Sequence, residues 1–270
     1  MLKTFPKGGI HPPENKITSG KEIKRMPVPK VVYVPIAQHI GIPSEIIVDR
    51  KDKVQKGQVI AKTSGFVSSN IHSPVAGTVT KVDMMVDSSG YKKQCIVIRT
   101  DQKDESNFEE KEYPLIKEIT LSQKDILQHV IDSGIVGLGG ATFPSHVKLM
   151  VPDGKKADVL LVNGVECEPY LTADQRLMLS KGEEILVGTT ILMRGLGVNR
   201  AYIGIENNKP DAIKHLIELA KGFESIEIVP LKVKYPQGGE KQLIKAIINR
   251  EVPSAKLPIE VGAVVNNIGT

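Results

Sequence analysis

Along the first hundred residues the apolar positions come in short runs cut by Gly, Pro and Asp. Val31-Val32-Tyr33-Val34, Ile46-Ile47-Val48, Gln58-Val59-Ile60-Ala61, Gly77-Thr78-Val79-Thr80 and Cys95-Ile96-Val97-Ile98 are the clearest. Runs of this length, rich in β-branched residues and bounded by turn formers, predict short strands. Beyond Glu112 the period changes. Ser122 and Asp125 form a capping-box pattern ahead of Ile126, Leu127, Val130 and Ile131 at helical spacing. Asp158–Val162 reads as a buried strand, Gly182–Leu196 as a helix, Ala201–Ile205 as a strand, and Pro210 opens a helix that Gly222 ends. Ile226–Val229 and Glu240–Asn249 add a strand and a helix. The alternation β-α-β-α-β-α predicts a parallel sheet covered by helices. Ligands on such sheets sit at the carboxyl ends of the strands, so the loops from Asn163, Glu206 and Lys234 are where chemistry is expected. The polar, aperiodic stretch 101–112 reads as a linker between residues 1–100 and a second domain at 113–270. The fold class is therefore α/β.

Composition narrows the function classes. The net charge of +5 is mild and spread out, aromatics are 4% and there is no Trp, so no nucleic-acid surface is expected. The start of the chain lacks the apolar stretch of a signal peptide, and no apolar run reaches bilayer length. Two cysteines, Cys95 and Cys167, make neither a disulfide framework nor a metal motif, and no metal ligand set is expected. Residues 1–30 carry seven Lys/Arg against Glu14 and Glu22 and read as a solvated arm.

The segment Gly137-Leu138-Gly139-Gly140-Ala141-Thr142-Phe143-Pro144 carries the strongest candidate chemistry. Three glycines in four positions admit close approach of another molecule, and consecutive N–H groups in such a loop can wrap a phosphate. Lys148 adds a cation nearby in sequence. The other reading is a helix C-terminus at Gly134 followed by a plain turn. A dinucleotide fingerprint would put its glycines after the first strand of the sheet. Here they precede it, and Asn163-Gly164-Val165-Glu166 occupies that turn, so an ordinary Rossmann dehydrogenase fits poorly. Asp174 and Arg176 read as a local ion pair in a loop, and Lys209 as part of a helix start.

Asp52–Ala61 and His72–Val82 resemble the two half-motifs of biotinyl/lipoyl carrier domains, which implies a small β barrel-sandwich domain. The hairpin between them reads Ser64-Gly65-Phe66-Val67-Ser68, without the carrier lysine, so no covalent biotin or lipoate is expected. Gly137–Leu149, Asn163–Arg176, Tyr235–Leu243 and Val265–Thr270 together resemble, in order, segments of the flavin- and NADH-binding subunit of respiratory complex I. The wording of ECEPYLT and YPQGGE, with KGGIHPP at Lys7–Pro13, is more similar to the RnfC family of ion-translocating Rnf electron-transport complexes.

The resemblance implies a Rossmann-like domain holding FMN non-covalently, with NAD(H) stacked on it. Gly137, Gly139, Gly140 and Ala141 would line the nucleotide site, with Phe143 stacking and Lys148 neutralising phosphate or meeting the flavin. Asn163 would hold the flavin's polar edge. Glu166 would tune the flavin and Glu168 would bond the nicotinamide nucleotide, the two residues expected to be catalytic. Tyr235, Gly239 and Glu240 would frame the opposite wall, and Asn266, Asn267 and Thr270 the phosphate end. Two departures are Val165 and Gly239, where complex I carries acidic residues. The 4Fe–4S clusters of the family are expected only in a C-terminal part outside this chain, which is expected to be the N-terminal portion of a longer protein. The implied setting is peripheral, on the cytoplasmic face of a bacterial inner membrane. The implied partners are the other subunits of the complex and, indirectly, a ferredoxin-linked donor. A non-catalytic subunit of the sodium-pumping NADH:quinone reductase type, or a cobalamin-reductase-type flavoprotein, stands as the alternative.

Overall fold

The computed structural model describes residues 2–87, 90–109 and 113–270; Met1 and the last three residues of the expected linker 101–112 lie outside the described residues. The chain forms two compact units interleaved along the sequence. One comprises Lys24–Pro114 and Gln128–Val147, the other Met1–Ile23, Leu115–Leu127 and Lys148–Thr270.

The first unit is all β apart from its helical appendage. Its strands are β1 (Val31–Pro35), β2 (Glu45–Ile46), β3 (Lys53–Val54), β4 (Val59–Lys62), β5 (Ile71–His72), β6 (Gly77–Val86) and β7 (Lys92–Thr100). They form antiparallel sheets ordered β1-β7-β6-β3 and β2-β4-β5. Strand β7 lies between β1 and β6, and its Cys95–Ile98 run is buried throughout. Val34, Val54, Ile60, Ile71, Val79, Ile96 and Ile98 close the core between the sheets. Gly77 opens β6 where a Cβ would lie 2.3 Å from the Arg99 carbonyl, so only glycine allows that pairing. The hairpin tip leaves Phe66 62% exposed.

Helix α1 (Gln123–Asp132) begins with the reciprocal cap expected of it. Ser122 Oγ donates to Asp125 Oδ2 (2.7 Å), and the Asp125 N–H donates to Ser122 Oγ (3.2 Å). It ends at Gly134, whose φ of 63° makes the left-handed turn, with Asn70 Nδ2 donating to the carbonyls of Ile131 and Asp132 (both 3.3 Å). The glycine loop follows directly, so the helix terminus and the loop are both present.

The second unit is built on a four-stranded parallel sheet. After helix α2 (Ser145–Leu149) come β8 (Val159–Asn163), α3 (Ala173–Ser180), α4 (Gly182–Leu196), β9 (Ala201–Glu206), α5 (Pro210–Ala220), β10 (Ile226–Leu231), α6 (Glu240–Ile248) and β11 (Ala263–Asn267). The strand order is β10-β9-β8-β11, every pair parallel. Val159, Leu161, Val229, Leu231, Ala263 and Val265 pack one face against Leu243, Ile244 and Ile247 of α6. Helices α4 and α5 contact β8 and β10, and Leu160, Ile203, Leu186 and Leu216 are fully buried. Because the chain builds β8, β9 and β10 outward in one direction and returns to place β11 on the other side of β8, the order reverses between β8 and β11. That reversal opens a crevice at the strand carboxyl ends.

Candidate functional site

The crevice end of β8 is Asn163, in register with Asn267 of β11. The Asn163 side chain does two jobs. Its Nδ2 donates to the Gly238 carbonyl (2.8 Å) and its Oδ1 accepts from the Val165 N–H (3.1 Å), tying the β8 and β10 loops together. Gly164 sits where a Cβ would meet Ile268, the Gly204 carbonyl and Met178 at 3.1 to 3.3 Å, so the turn packs closely against its neighbours there.

The following loop is held from several sides. Val165 is buried, and its carbonyl accepts from Lys209 Nζ (2.7 Å). Lys209 is itself 1% exposed, donates also to Asn208 Oδ1 (2.9 Å), and lies 4.0 Å from the equally buried Glu206. Glu206 Oε1 accepts the Lys234 N–H (3.0 Å). The three loops expected to matter, from Asn163, Glu206 and Lys234, are thus joined by hydrogen bonds. Burial pushes the Glu206 carboxyl up to about 7 and pushes the Lys209 ammonium down, each opposed by the charge of the other.

Glu166 takes φ 50° and is 8% exposed. Its carboxylate accepts the N–H groups of Asp174 (2.8 Å) and Gln175 (3.4 Å) at the start of α3. It therefore caps that helix in place of Thr172, whose hydroxyl instead meets Thr18 (2.6 Å). Glu168, by contrast, is exposed. Cys167 Sγ accepts from the Gly238 N–H (3.4 Å), and burial raises its thiol to about 11, so it stays protonated at neutral pH.

At the other side of the crevice, Lys148 Nζ donates to Glu240 Oε1 (3.0 Å) and to the Val265 carbonyl (2.8 Å), placing both residues beside the end of β11. Asn266 is 5% exposed, and its Nδ2 is buried with no partner among the described residues. Asn267 Nδ2 donates to Asp174 Oδ2 (2.9 Å), and the Thr270 N–H donates to the Asn267 carbonyl (3.1 Å). Burial raises the Asp174 carboxyl to about 6, against the Asn267 bond. Gly239 precedes α6, and Tyr235 pairs with Ile10 of the N-terminal arm through both backbone groups.

In the other unit, Gly137 to Ala141 form a loop closed at its base by the Val136–Pro144 bridge and a Gly137 N–H to Phe143 carbonyl bond (2.9 Å). Gly139, Gly140 and Ala141 are exposed. A Cβ at Gly140 would meet nothing within 4 Å, so the fold itself does not ask for glycine there.

One sequence reading needs correction. Asp174 and Arg176 lie on α3, not in a loop, and bond Asn267 and the Ser19 carbonyl (3.3 Å) respectively. The helix has eight residues and buries only Gln175 and Met178, too little to leave an apolar period. Lys209 does start α5, yet its ammonium also reaches under the β8 loop. Lys16 is a functional candidate that the sequence does not disclose; it donates to the carbonyls of Glu166, Glu168 and Leu171. Nothing in a proline-punctuated basic arm signals such a contact.

FMN is the group whose fit these residues can test. In the α/β unit, an unpaired buried amide on Asn266 and a lysine at the crevice edge suit a polar, phosphate-bearing ligand. The bare backbone at Gly140, taken by itself, suits close approach of phosphate. Among the described residues no group of three His, Cys, Asp or Glu could hold a metal ion. No helix among them is long and apolar enough to cross a membrane.

Residues 130–270 match the family described as the Nuo51 FMN-binding domain, and residues 3–103 match the RnfC barrel sandwich hybrid domain. The chain is 45% identical over its full length to the C component of the proton-translocating ferredoxin:NAD(+) oxidoreductase complex of Clostridium ljungdahlii, covering 58% of that protein. It is 43% identical over 98% of its length to the Na(+)-translocating counterpart of Acetobacterium woodii, covering 59% of it. Against the C component of the ion-translocating oxidoreductase complex of Rhodobacter capsulatus it is 43% identical over its full length, covering 52%. The chain thus spans little more than half the length of these curated relatives. A solved NAD+-reducing NiFe hydrogenase in the air-oxidized state aligns at 25% identity and a TM-score of 0.48, covering 55% of this chain and 29% of that one. An RnfC-type barrel-sandwich domain precedes an α/β domain in this chain, which belongs to the Nuo51 FMN-binding family and is similar from end to end to the C components of ion-translocating oxidoreductase complexes.

Proposed function

We propose that this chain is the flavin-binding, NADH-facing portion of a ferredoxin:NAD oxidoreductase, passing electrons between NAD(H) and non-covalently bound FMN. The observation that carries this reading is the crevice where strand order reverses between β8 and β11. It is edged by Asn163 and Asn267, and the adjoining Asn266 carries a buried amide with no partner among the described residues. When bound, FMN supplies the exchange of hydride with NAD(H) and of electrons with the rest of the complex. The protein's share is binding and alignment. The N–H groups of Gly137, Gly139, Gly140 and Ala141 take phosphate, Lys148 adds positive charge, and Phe143 offers a stacking face. Asn163, Asn266, Asn267 and Thr270 hold the flavin nucleotide, while Tyr235, Gly239 and Glu240 bound its far side. Glu168 meets the nicotinamide nucleotide. Glu166 acts through its grip on α3, which fixes the turn from which Glu168 extends. Electrons would leave toward iron–sulfur centres outside this chain, on a complex at the cytoplasmic face of a bacterial membrane. Its other subunits and a ferredoxin-linked donor are the partners.

Titration of the isolated chain with FMN, read by flavin fluorescence, should saturate at one flavin per chain. Absence of saturable binding would reject the reading. Intact mass after co-expression with biotin and lipoate ligases should be unchanged, because Phe66 stands at the hairpin tip where carriers place lysine.

A further inference from the structure

The loop after β8 is held by an ammonium from the far end of the chain. Lys16, 150 residues before Glu166 in sequence, donates to the carbonyls of Glu166 (2.7 Å), Glu168 (2.9 Å) and Leu171 (2.7 Å). An ammonium has three donors and no acceptor, so one loop takes its whole capacity. The arm carrying Lys16 is anchored independently of it. The Tyr170 N–H donates to the Glu14 carbonyl (3.0 Å), Asn208 Nδ2 to Glu14 Oε2 (2.7 Å), and Thr18 meets Thr172 (2.6 Å). These bonds set the arm in place; the Lys16 bonds set the loop.

The bonded carbonyls bracket Glu168. One belongs to Glu168 itself, one lies two residues before it and one three residues after, while its side chain stays exposed. Fixing those peptide groups fixes the base from which the carboxylate projects without occupying the carboxylate. The same turn is held at Val165 by Lys209 and at the Glu166 side chain by α3, while the Glu168 side chain stays exposed.

We infer that Lys16 is a positioning residue for Glu168, acting by converging three carbonyls of the 166–171 loop on one ammonium. The inference rests on the reading that Glu168 meets the nicotinamide nucleotide. Arginine cannot substitute, because its planar fork points its donors outward rather than gathering three acceptors onto one nitrogen.

The test uses the FMN-loaded chain mixed anaerobically with NADH in a stopped-flow spectrometer. Lys16→Met should bind FMN within about twofold of wild type and slow flavin reduction roughly tenfold to a hundredfold, the scale of a small misalignment. Combining it with Glu168→Gln should slow reduction no further than Glu168→Gln alone, since the lysine works through that carboxylate. Thr18→Val, which removes an arm bond but leaves the three carbonyls held, should reduce at the wild-type rate. A wild-type rate in Lys16→Met, additive losses in the double variant, or an equal loss in Thr18→Val each overturns the inference. So does loss of FMN or of the folded state in Lys16→Met, which would make the lysine a fold residue only. Failure of the underlying reading looks different: wild-type chain that binds FMN yet is not reduced by NADH sinks both together.

Discussion

The glycine loop 137–141 and the loop 163–171 both lie within the match to the FMN-binding family, and they are built on opposite principles. The second is tied through Asn163, Glu166, Lys209 and Lys16 to strands, a helix and the N-terminal arm. The first is closed at its base, with Gly139, Gly140 and Ala141 exposed and open space where a Gly140 side chain would be. One loop spends its polar groups inside the protein and leaves a single carboxylate, Glu168, in solvent. The other leaves Gly139, Gly140 and Ala141 exposed at its tip. Preorganisation suits a residue that must align a reacting partner, and bare backbone suits close approach to phosphate.

The contrast can be broken first at its most buried point. Lys209→Met should destabilise the chain by about 3 kcal/mol or more, because it strips the buried Glu206 of its cation and the Val165 carbonyl of its donor. Chemical denaturation measures this. Gly140→Val should do the reverse in kind. Stability should stay within about 0.5 kcal/mol, as for surface changes away from packed features. FMN affinity should fall on the order of a hundredfold, ~2.7 kcal/mol, read by flavin fluorescence titration. Equal losses of stability in the two variants would erase the distinction between a tied loop and a bare one.

The tied loop also carries a pH signature. Burial holds Glu206 at about 7 against 4.5 and Asp174 at about 6 against 3.8. The folded chain then binds protons that the unfolded chain has already released, so stability falls as pH rises from about 4 to about 7. The thermal midpoint should drop across that window, and Glu206→Gln should flatten the drop. A smaller effect is expected from Glu166→Ala, which removes the α3 cap at a cost of about 1 kcal/mol, measured by thermal melting.

Much of this architecture was legible in the chain. Gly182–Leu196 and Pro210–Ala220 have clear start and stop signals and form helices with those bounds. The parallel sheet followed from the alternation of periods. The fourth strand, β11, did not, since Ala263–Asn267 is five residues beside a 3-10 turn and was visible only as a motif. With it went the strand-order reversal, which depends on where a strand inserts rather than on its composition. Helix α3 was missed because a side chain outside it, Glu166, provides its cap and its own apolar face is small. The loops from Asn163, Glu206 and Lys234 were expected to matter, but the buried Glu206 and Lys209 that join them look in sequence like an ordinary helix start. The Lys16 contact is tertiary across 150 residues, and no local pattern encodes it.

The central claim is that the chain aligns NADH with FMN through Glu168, and anaerobic stopped-flow reduction tests it directly. Wild-type chain loaded with FMN should lose flavin absorbance on mixing with NADH, without any iron–sulfur cluster present. Glu168→Gln should retain the flavin and bleach more slowly than Glu183→Gln, whose carboxylate pairs with Lys117 at the start of α4. Bound flavin that NADH leaves oxidised in the wild-type chain, or equal rates in the two variants, would contradict it.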